Sequence, residues 1–151
     1  MKRETDNDFW VMCNEKSPVS CKRANYILTL LEEKGLRGYF TPRDAKNKDS
    51  LIEITEAVDK CKYILIVFDE DFKKDNFNMF TQESVFKKLI DTGQLPRFIP
   101  LVIGVKRREA VPSYIPNFCL EFNDDWKEDD RQFARLESTL RSEPPMSIFG
   151  F

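Results

Sequence analysis

A single carboxylate, Glu83, interrupts the largely apolar stretch MFTQESVFKKL at residues 79–89. A glutamate in this position could be a solvated helix residue, a local brace or an acid that takes part in a reaction. The chain has no histidine, which excludes Ser–His and Cys–His pairs and an imidazole general base. Any catalysis would therefore use carboxylates, lysine, tyrosine, cysteine or backbone dipoles, and the role of Glu83 becomes the main functional question.

Composition excludes several other kinds of site. The four cysteines form no CxxC pair, so we expect reduced, mostly buried thiols and no metal site. With five glycines and neither GxGxxG nor GxxxxGK[ST], a phosphate-binding glycine loop and a bound nucleotide cofactor are not expected. The net charge of -2 favours neither nucleic acid nor an anionic membrane surface as a partner.

Length and hydropathy bound the organisation of the chain. We expect one domain over residues 1–143 and a short tail over 144–151, because 151 residues suffice for one core. The sequence has no apolar run of transmembrane length, and its first residues have no apolar signal segment. These features predict a cytoplasmic protein, or the cytoplasmic part of a longer one, that does not insert into a membrane.

Short apolar segments alternate with helical patterns along the chain. The pattern predicts helices that begin after Ser17 and Ser50, at Thr81 and within residues 124–142, separated by polar loops such as 41–50. Residues 63–68 (YILIVF) are continuously apolar, as expected for a central parallel strand. The predicted strands are residues 9–12, 36–40, 63–68, 98–103 and 118–122.

Five strands alternating with helices predict an α/β fold with helices on both faces of a parallel sheet. The flavodoxin-like strand order 2-1-3-4-5, in a three-layer sandwich, is the expected topology. Ligands of such sheets bind beyond the carboxyl ends of the strands, where the strand order reverses. We expect Asn14 and Lys16, the loop 41–49, Asp69 and the start of the Glu83 helix at this edge. Glu83 would then lie in a first helical turn and gain from the helix dipole.

A phospho-receiver is one interpretation of this edge, because a receiver has an aspartate at the end of its third strand. Asp69 fits that position. However, the first strand ends in Cys13-Asn14-Glu15, which lacks the acidic pair needed for Mg²⁺, and Gly104 stands where a hydroxyl is needed.

Five segments resemble the boxes of the TIR (Toll/interleukin-1 receptor) domain family, in the correct order. DFWVMC (8–13) resembles the first box, and Arg43-Asp44 resembles the RD of RDxxPG in the loop after strand two, the BB loop. CKYILIVFDEDF (61–72) resembles the third strand, MFTQE (79–83) resembles W-C-x-x-E, and RQFARLESTL (131–140) resembles the last helix box. Asn47-Lys48 replaces the Pro-Gly of the second box.

The resemblance implies two different functions. Many TIR domains act in innate-immune-type signalling as adaptors that assemble with themselves or other TIR domains through the BB loop. Others cleave NAD⁺ at the nicotinamide–ribose bond, and the resemblance then makes Glu83 the catalytic carboxylate. A carboxylate suits an oxocarbenium-like transition state. In that case NAD⁺ is a substrate rather than a cofactor, and the candidate ligand wall is Trp10, Asn14, Lys16, Phe40 and Phe80.

The charged BB-loop segment carries the interaction hypothesis. Its candidate contact residues are Pro42, Arg43, Asp44, Lys46, Asn47 and Lys48. Exposed charges contribute little to stability, so Arg43 and Lys46 are expected to be free for recognition. A basic face with Lys46 and Lys48 could meet an acidic face from DEDF (69–72) or DDWKEDD (124–130) of another copy. Asp44 could alternatively brace the loop by accepting backbone N–H groups.

Overall fold

Five parallel strands form one sheet in the order β2-β1-β3-β4-β5, as the sequence predicts. The structure is a computed structural model that describes residues 6–45, 50–74, 76–113 and 119–144, with the backbone alone for 50, 51 and 76–81. The strands are β1 Asn7–Met12, β2 Gly38–Tyr39, β3 Cys61–Phe68, β4 Phe98–Ile103 and β5 Leu120–Phe122. β2 is thus shorter than predicted, and residue 118 of the predicted fifth strand lies outside the described residues.

Six α-helices accompany the strands in the described part of the chain. They are α1 Pro18–Glu33, α2 Thr41–Asp44, α3 Ser50–Lys60, α4 Asn76–Asp91, α5 Arg107–Ala110 and α6 Arg131–Arg141. Ser17 caps α1 by accepting a hydrogen bond from the Ser20 amide, and Pro18 begins the helix. Gly35 follows α1 with φ +89°, a conformation that favours glycine at the end of a helix. No helix among the described residues has the length and apolarity needed to cross a membrane.

Two hydrophobic cores lie on opposite faces of the sheet. One contains Phe9, Val11 and Leu65 with the apolar sides of α1 and α6, and the other contains Trp10 and Ile64 with those of α3 and α4. Successive strand side chains point to opposite faces, and β3 therefore contributes to both cores. Its last six residues are all buried, which agrees with the predicted central position.

Two local predictions are corrected by the structure. Thr41–Asp44 is a helical turn rather than loop. α4 begins at Asn76, five residues before the predicted start at Thr81. Its first turn contains asparagines, which are weak helix formers in isolation, so the sequence pattern shows only the later, amphipathic part of the helix.

Candidate functional site

Asn14 bridges the carboxyl ends of β1 and β3, where the strand order reverses. Its Nδ2 donates to the backbone oxygen of Asp71 at 2.6 Å, and its Oδ1 accepts from the backbone amide of Lys16 at 3.0 Å. The residue is only 4% exposed. Both polar atoms of the side chain thus brace the loops after β1 and β3, whereas Lys16 lies exposed beside them.

Ser17 adds a second link across the same point. Its hydroxyl donates to Asp71 Oδ2 at 2.7 Å, and the Lys74 ammonium lies 2.7 Å from the other Asp71 oxygen. The hydrogen bonds from Lys74 and Ser17 lower the pKa of Asp71. The bond from Ser17 therefore links the loop after β3 to the start of α1, and the bond from Lys74 adds a local contact within the segment after β3.

Asp69 is a buried structural carboxylate at the end of β3. Its Oδ2 accepts from Ser20 Oγ at 2.6 Å and from Arg23 Nη1 at 2.9 Å, and its Oδ1 accepts from the Asp71 amide at 3.1 Å. The residue is 2% exposed. An acceptor of phosphate must be reached from solvent, so this geometry gives no support to the receiver interpretation.

Arg23 joins three carboxylates from two different loops. Besides Asp69, it binds Glu70 at 3.0 Å and Asp124 at 2.8 Å, the latter in the segment after β5. Burial alone would lower the pKa of Arg23, but the hydrogen bonds that Arg23 donates to Asp69, Asp124 and Glu70 outweigh this effect and raise the pKa. Sequence reasoning missed this arginine. The available signal was its spacing of three from Ser20 on α1, which places both side chains on the same side of the helix.

Glu83 is exposed and is the eighth residue of the 16-residue helix α4. The prediction that it lies in a first helical turn is therefore wrong, because the helix begins earlier than the pattern suggests. Its carboxylate is too far from the N-terminus to gain from the helix dipole, which acts within the first turn.

The proposed ligand-wall residues do not form one surface. Trp10, 3% exposed, belongs to the α3/α4 core and donates from Nε1 to Thr41 Oγ1 at 3.1 Å. Phe40, 7% exposed, belongs to the α1/α6 core on the other face of the sheet. The backbone of Phe80 lies in α4, and its side chain is outside the described part. Two of the expected aromatic walls are thus core residues on opposite sides of the sheet.

The RD pair braces the start of the BB loop. Asp44 Oδ2 accepts from the backbone amide of Phe40 at 2.9 Å, as the bracing alternative predicts. Arg43 binds Glu32 Oε1 at 2.8 Å and the Gly38 carbonyl oxygen at 3.2 Å. The expectation that Arg43 is free for recognition is therefore corrected, because its guanidinium is occupied locally.

The remaining BB-loop residues divide in two groups. Pro42 lies in the helical turn α2 next to Arg43. Lys46, Asn47 and Lys48 lie outside the described residues, and their contact role stays a prediction.

Tyr39 and Glu53 form a buried pair that sequence reasoning did not find. The Tyr39 hydroxyl donates to the Glu53 carboxylate, and burial together with this hydrogen bond raises the pKa of Tyr39.

Known proteins resemble this chain in structure, but no family model or curated protein matches its sequence. The structure does match a TIR-STING receptor from C. gigas in complex with 2',3'-cGAMP, with a TM-score of 0.74 and 17% identity over 95% of this chain and 42% of that one. The TIR domain of the Toll-related receptor TRR-2 from Hydra magnipapillata matches with a TM-score of 0.64 and 17% identity, over 90% and 99%.

The chain has a TIR-like fold. A prokaryotic SEFIR domain also matches, with a TM-score of 0.63 and 17% identity over 90% of this chain and 93% of that one. The TIR-like chain spans less than half the length of the C. gigas receptor.

Proposed function

We propose that this TIR-like chain is a cytoplasmic interaction module that signals by assembling with other TIR domains through its BB loop. The observation that carries the proposal is the rigid anchoring of α2, where the loop begins. Thr41 binds Trp10 of β1 and Arg43 binds Glu32 of α1, while Asp44 closes the turn itself by accepting from the Phe40 amide. A loop that starts from a fixed turn loses less conformational entropy on binding.

Charge suggests which surface the loop meets. Of the two acidic segments, the one after β3 is already occupied, because Asp69 is buried and paired with Arg23, and Asp71 binds Ser17 and Lys74. In the segment after β5, Asp125 and Asp129 are exposed. Lys46 and Lys48 of one copy would therefore contact Asp125 and Asp129 of the next. Such a contact is heterologous, and its repetition produces a closed ring or an open filament of subunits.

Sedimentation velocity at several salt concentrations tests the assembly. We expect reversible association that weakens as salt increases, because the contact is electrostatic. Lys46→Glu/Lys48→Glu should weaken it at least ~10-fold, since like charges facing each other cost several kcal/mol. The matched control Lys22→Glu/Lys87→Glu changes the net charge equally at two exposed positions outside both proposed contact surfaces and should have little effect.

A charge swap makes the test specific. Asp125→Lys/Asp129→Lys should weaken self-association as Lys46→Glu/Lys48→Glu does, and a mixture of the two variants should restore association between them. If the mixture stays monomeric while the control variant still assembles, this pairing of surfaces is wrong.

NAD⁺ cleavage is the second candidate function. It is favoured by the exposed carboxylate of Glu83 on α4, the helix to which the resemblance assigns the acid. Incubation of concentrated protein with NAD⁺, with detection of nicotinamide and ADP-ribose, distinguishes the two functions. Turnover would favour the enzyme, and its absence in an assay where a known TIR NADase works would favour the interaction module.

A further inference from the structure

A basic cleft of about 670 Å³ lies at the carboxyl edge of the sheet, beyond β3 and β4. One side is Lys73, in the 3-10 turn Phe72–Lys74 that follows β3. The other side is the segment after β4, with Lys106, Arg107 and Arg108. The carboxyl edge is where open α/β sheets bind their ligands, and this volume is typical of small-molecule sites.

Two of the cations that line the cleft, Lys106 and Arg108, differ from Arg23 in their surroundings within the described residues. Arg23, near the ends of β1 and β3, is surrounded by three carboxylates. By contrast, no carboxylate within the described ranges forms an ion pair with the Lys106 ammonium or the Arg108 guanidinium, and both side chains are exposed. The Lys106 ammonium and the Arg108 guanidinium can therefore be reached by an anion.

Two contacts fix the shape of the cleft. The Lys73 ammonium donates to the backbone oxygen of Glu109 at 3.3 Å, which joins the β3 side to the β4 side. Val111 in the lining is 6% exposed and belongs to the α3/α4 core, so the wall that carries the arginines is anchored. The exposed Ser113 adds a hydroxyl to the lining. The site thus combines cations, a hydroxyl and an apolar wall.

We propose that this basic cleft binds a ligand that carries a phosphate pair, with the phosphates between Lys73, Lys106 and Arg108. Arginine presents a planar fork that binds phosphate oxygens in pairs, and lysine adds a point charge. The apolar wall at Val111 would contact the non-phosphate part of the ligand. The inference goes beyond the proposed function and does not depend on it, because it uses neither the BB-loop lysines nor Glu83.

Calorimetric titration of the full chain with inorganic pyrophosphate tests the site. We expect saturable binding, and we expect Lys106→Glu/Arg108→Glu to weaken it at least ~10-fold, since one charge-assisted hydrogen bond contributes about that factor. Lys22→Glu/Lys127→Glu is the matched control, with the same charge change at two exposed lysines outside the cleft, and should bind as the wild type does. Thermal melting of each variant verifies that the fold is retained.

Two further arms identify the source of the phosphate and the specificity of the site. Flotation with phosphatidylcholine vesicles that contain a phosphoinositide bisphosphate distinguishes a lipid headgroup from a soluble ligand. Binding to these vesicles that is lost in the cleft variant would assign the phosphates to a lipid, and pyrophosphate binding without vesicle binding would assign them to a soluble molecule. No pyrophosphate binding, equal loss in both variants, or equally tight binding of an aspartate oligopeptide would overturn the proposal.

Discussion

The guanidinium of Arg23 on α1 lies 2.9 Å from the carboxylate of Asp69 at the end of β3, and the Asp69 side chain is fully buried. The same arginine holds Glu70 and Asp124. Helix α1 is thereby fastened to the loops that follow β3 and β5. The carboxyl edge of the sheet is consequently braced on its α1 side, and exposed cationic side chains lie beyond β3 and β4 in the basic cleft.

Asp69→Ala should reduce the free energy of unfolding by about 3 kcal/mol, because it removes the buried carboxylate that accepts hydrogen bonds from Ser20, Arg23 and the Asp71 amide. Urea denaturation measures the change. Glu70→Ala is the matched control on the same arginine, and its side chain is 48% exposed, so its cost should be below about 1 kcal/mol. Equal losses in the free energy of unfolding of the two variants would show that the burial of Asp69 adds no stability beyond that of an exposed ion pair.

Asp44→Asn should destabilise the protein by about 1 kcal/mol near neutral pH, and the loss should depend on pH. Burial alone would raise the pKa of Asp44, but the hydrogen bonds from Arg43 and the Phe40 amide outweigh it and lower the pKa. A carboxylate with a lowered folded-state pKa stabilises fully above its unfolded pKa of about 4, and that stability is lost as the pH falls through the folded value.

The stability difference between wild type and Asp44→Asn should therefore be constant near neutral pH and shrink in acid below about pH 4. Chemical denaturation at a series of pH values measures it. A difference that does not change with pH would mean that the side chain acts through packing or neutral hydrogen bonding, and that its charge is unimportant.

Trp10→Phe and Thr41→Val should show a coupling energy of about 1 kcal/mol in a double-mutant cycle, because each change removes one partner of the hydrogen bond between Trp10 Nε1 and Thr41 Oγ1. Both substitutions keep most of the side-chain volume. The cycle is measured by equilibrium unfolding. Additive effects would indicate that the indole anchors α2 by packing alone.

If the protein cleaves NAD⁺, the variant Glu83→Gln tests whether Glu83 is the catalytic carboxylate. The variant should then lose at least ~100-fold in rate, about 3 kcal/mol of transition-state stabilisation. Stability should change by less than about 0.5 kcal/mol, because the side chain is exposed. Asp91→Asn, at an exposed position of the same helix, is the control and should keep the activity. Turnover that survives Glu83→Gln would identify a different acid, whereas a large loss of stability would indicate a brace.

Local sequence patterns were sufficient to predict the α/β architecture of the chain. Residues 63–68 are continuously apolar, a pattern that is typical of a central parallel strand covered on both faces. Ser17 and Pro18 define the start of α1, because capping depends on neighbouring residues. Right-handed connections leave few possible topologies, and the sheet confirms the expected flavodoxin-like order 2-1-3-4-5 with parallel strands.

The local sequence did not determine how side chains are used at the edge of the sheet. From the sequence, Arg43 is expected to be a free surface charge, but in the structure it binds Glu32 and the Gly38 carbonyl. Trp10 and Phe40 are expected to form one aromatic wall, but their side chains lie on opposite faces of the sheet. Asp69 and Arg23 are 46 residues apart in sequence. Pairings of this kind depend on distances between separate elements, which only the packed tertiary structure sets.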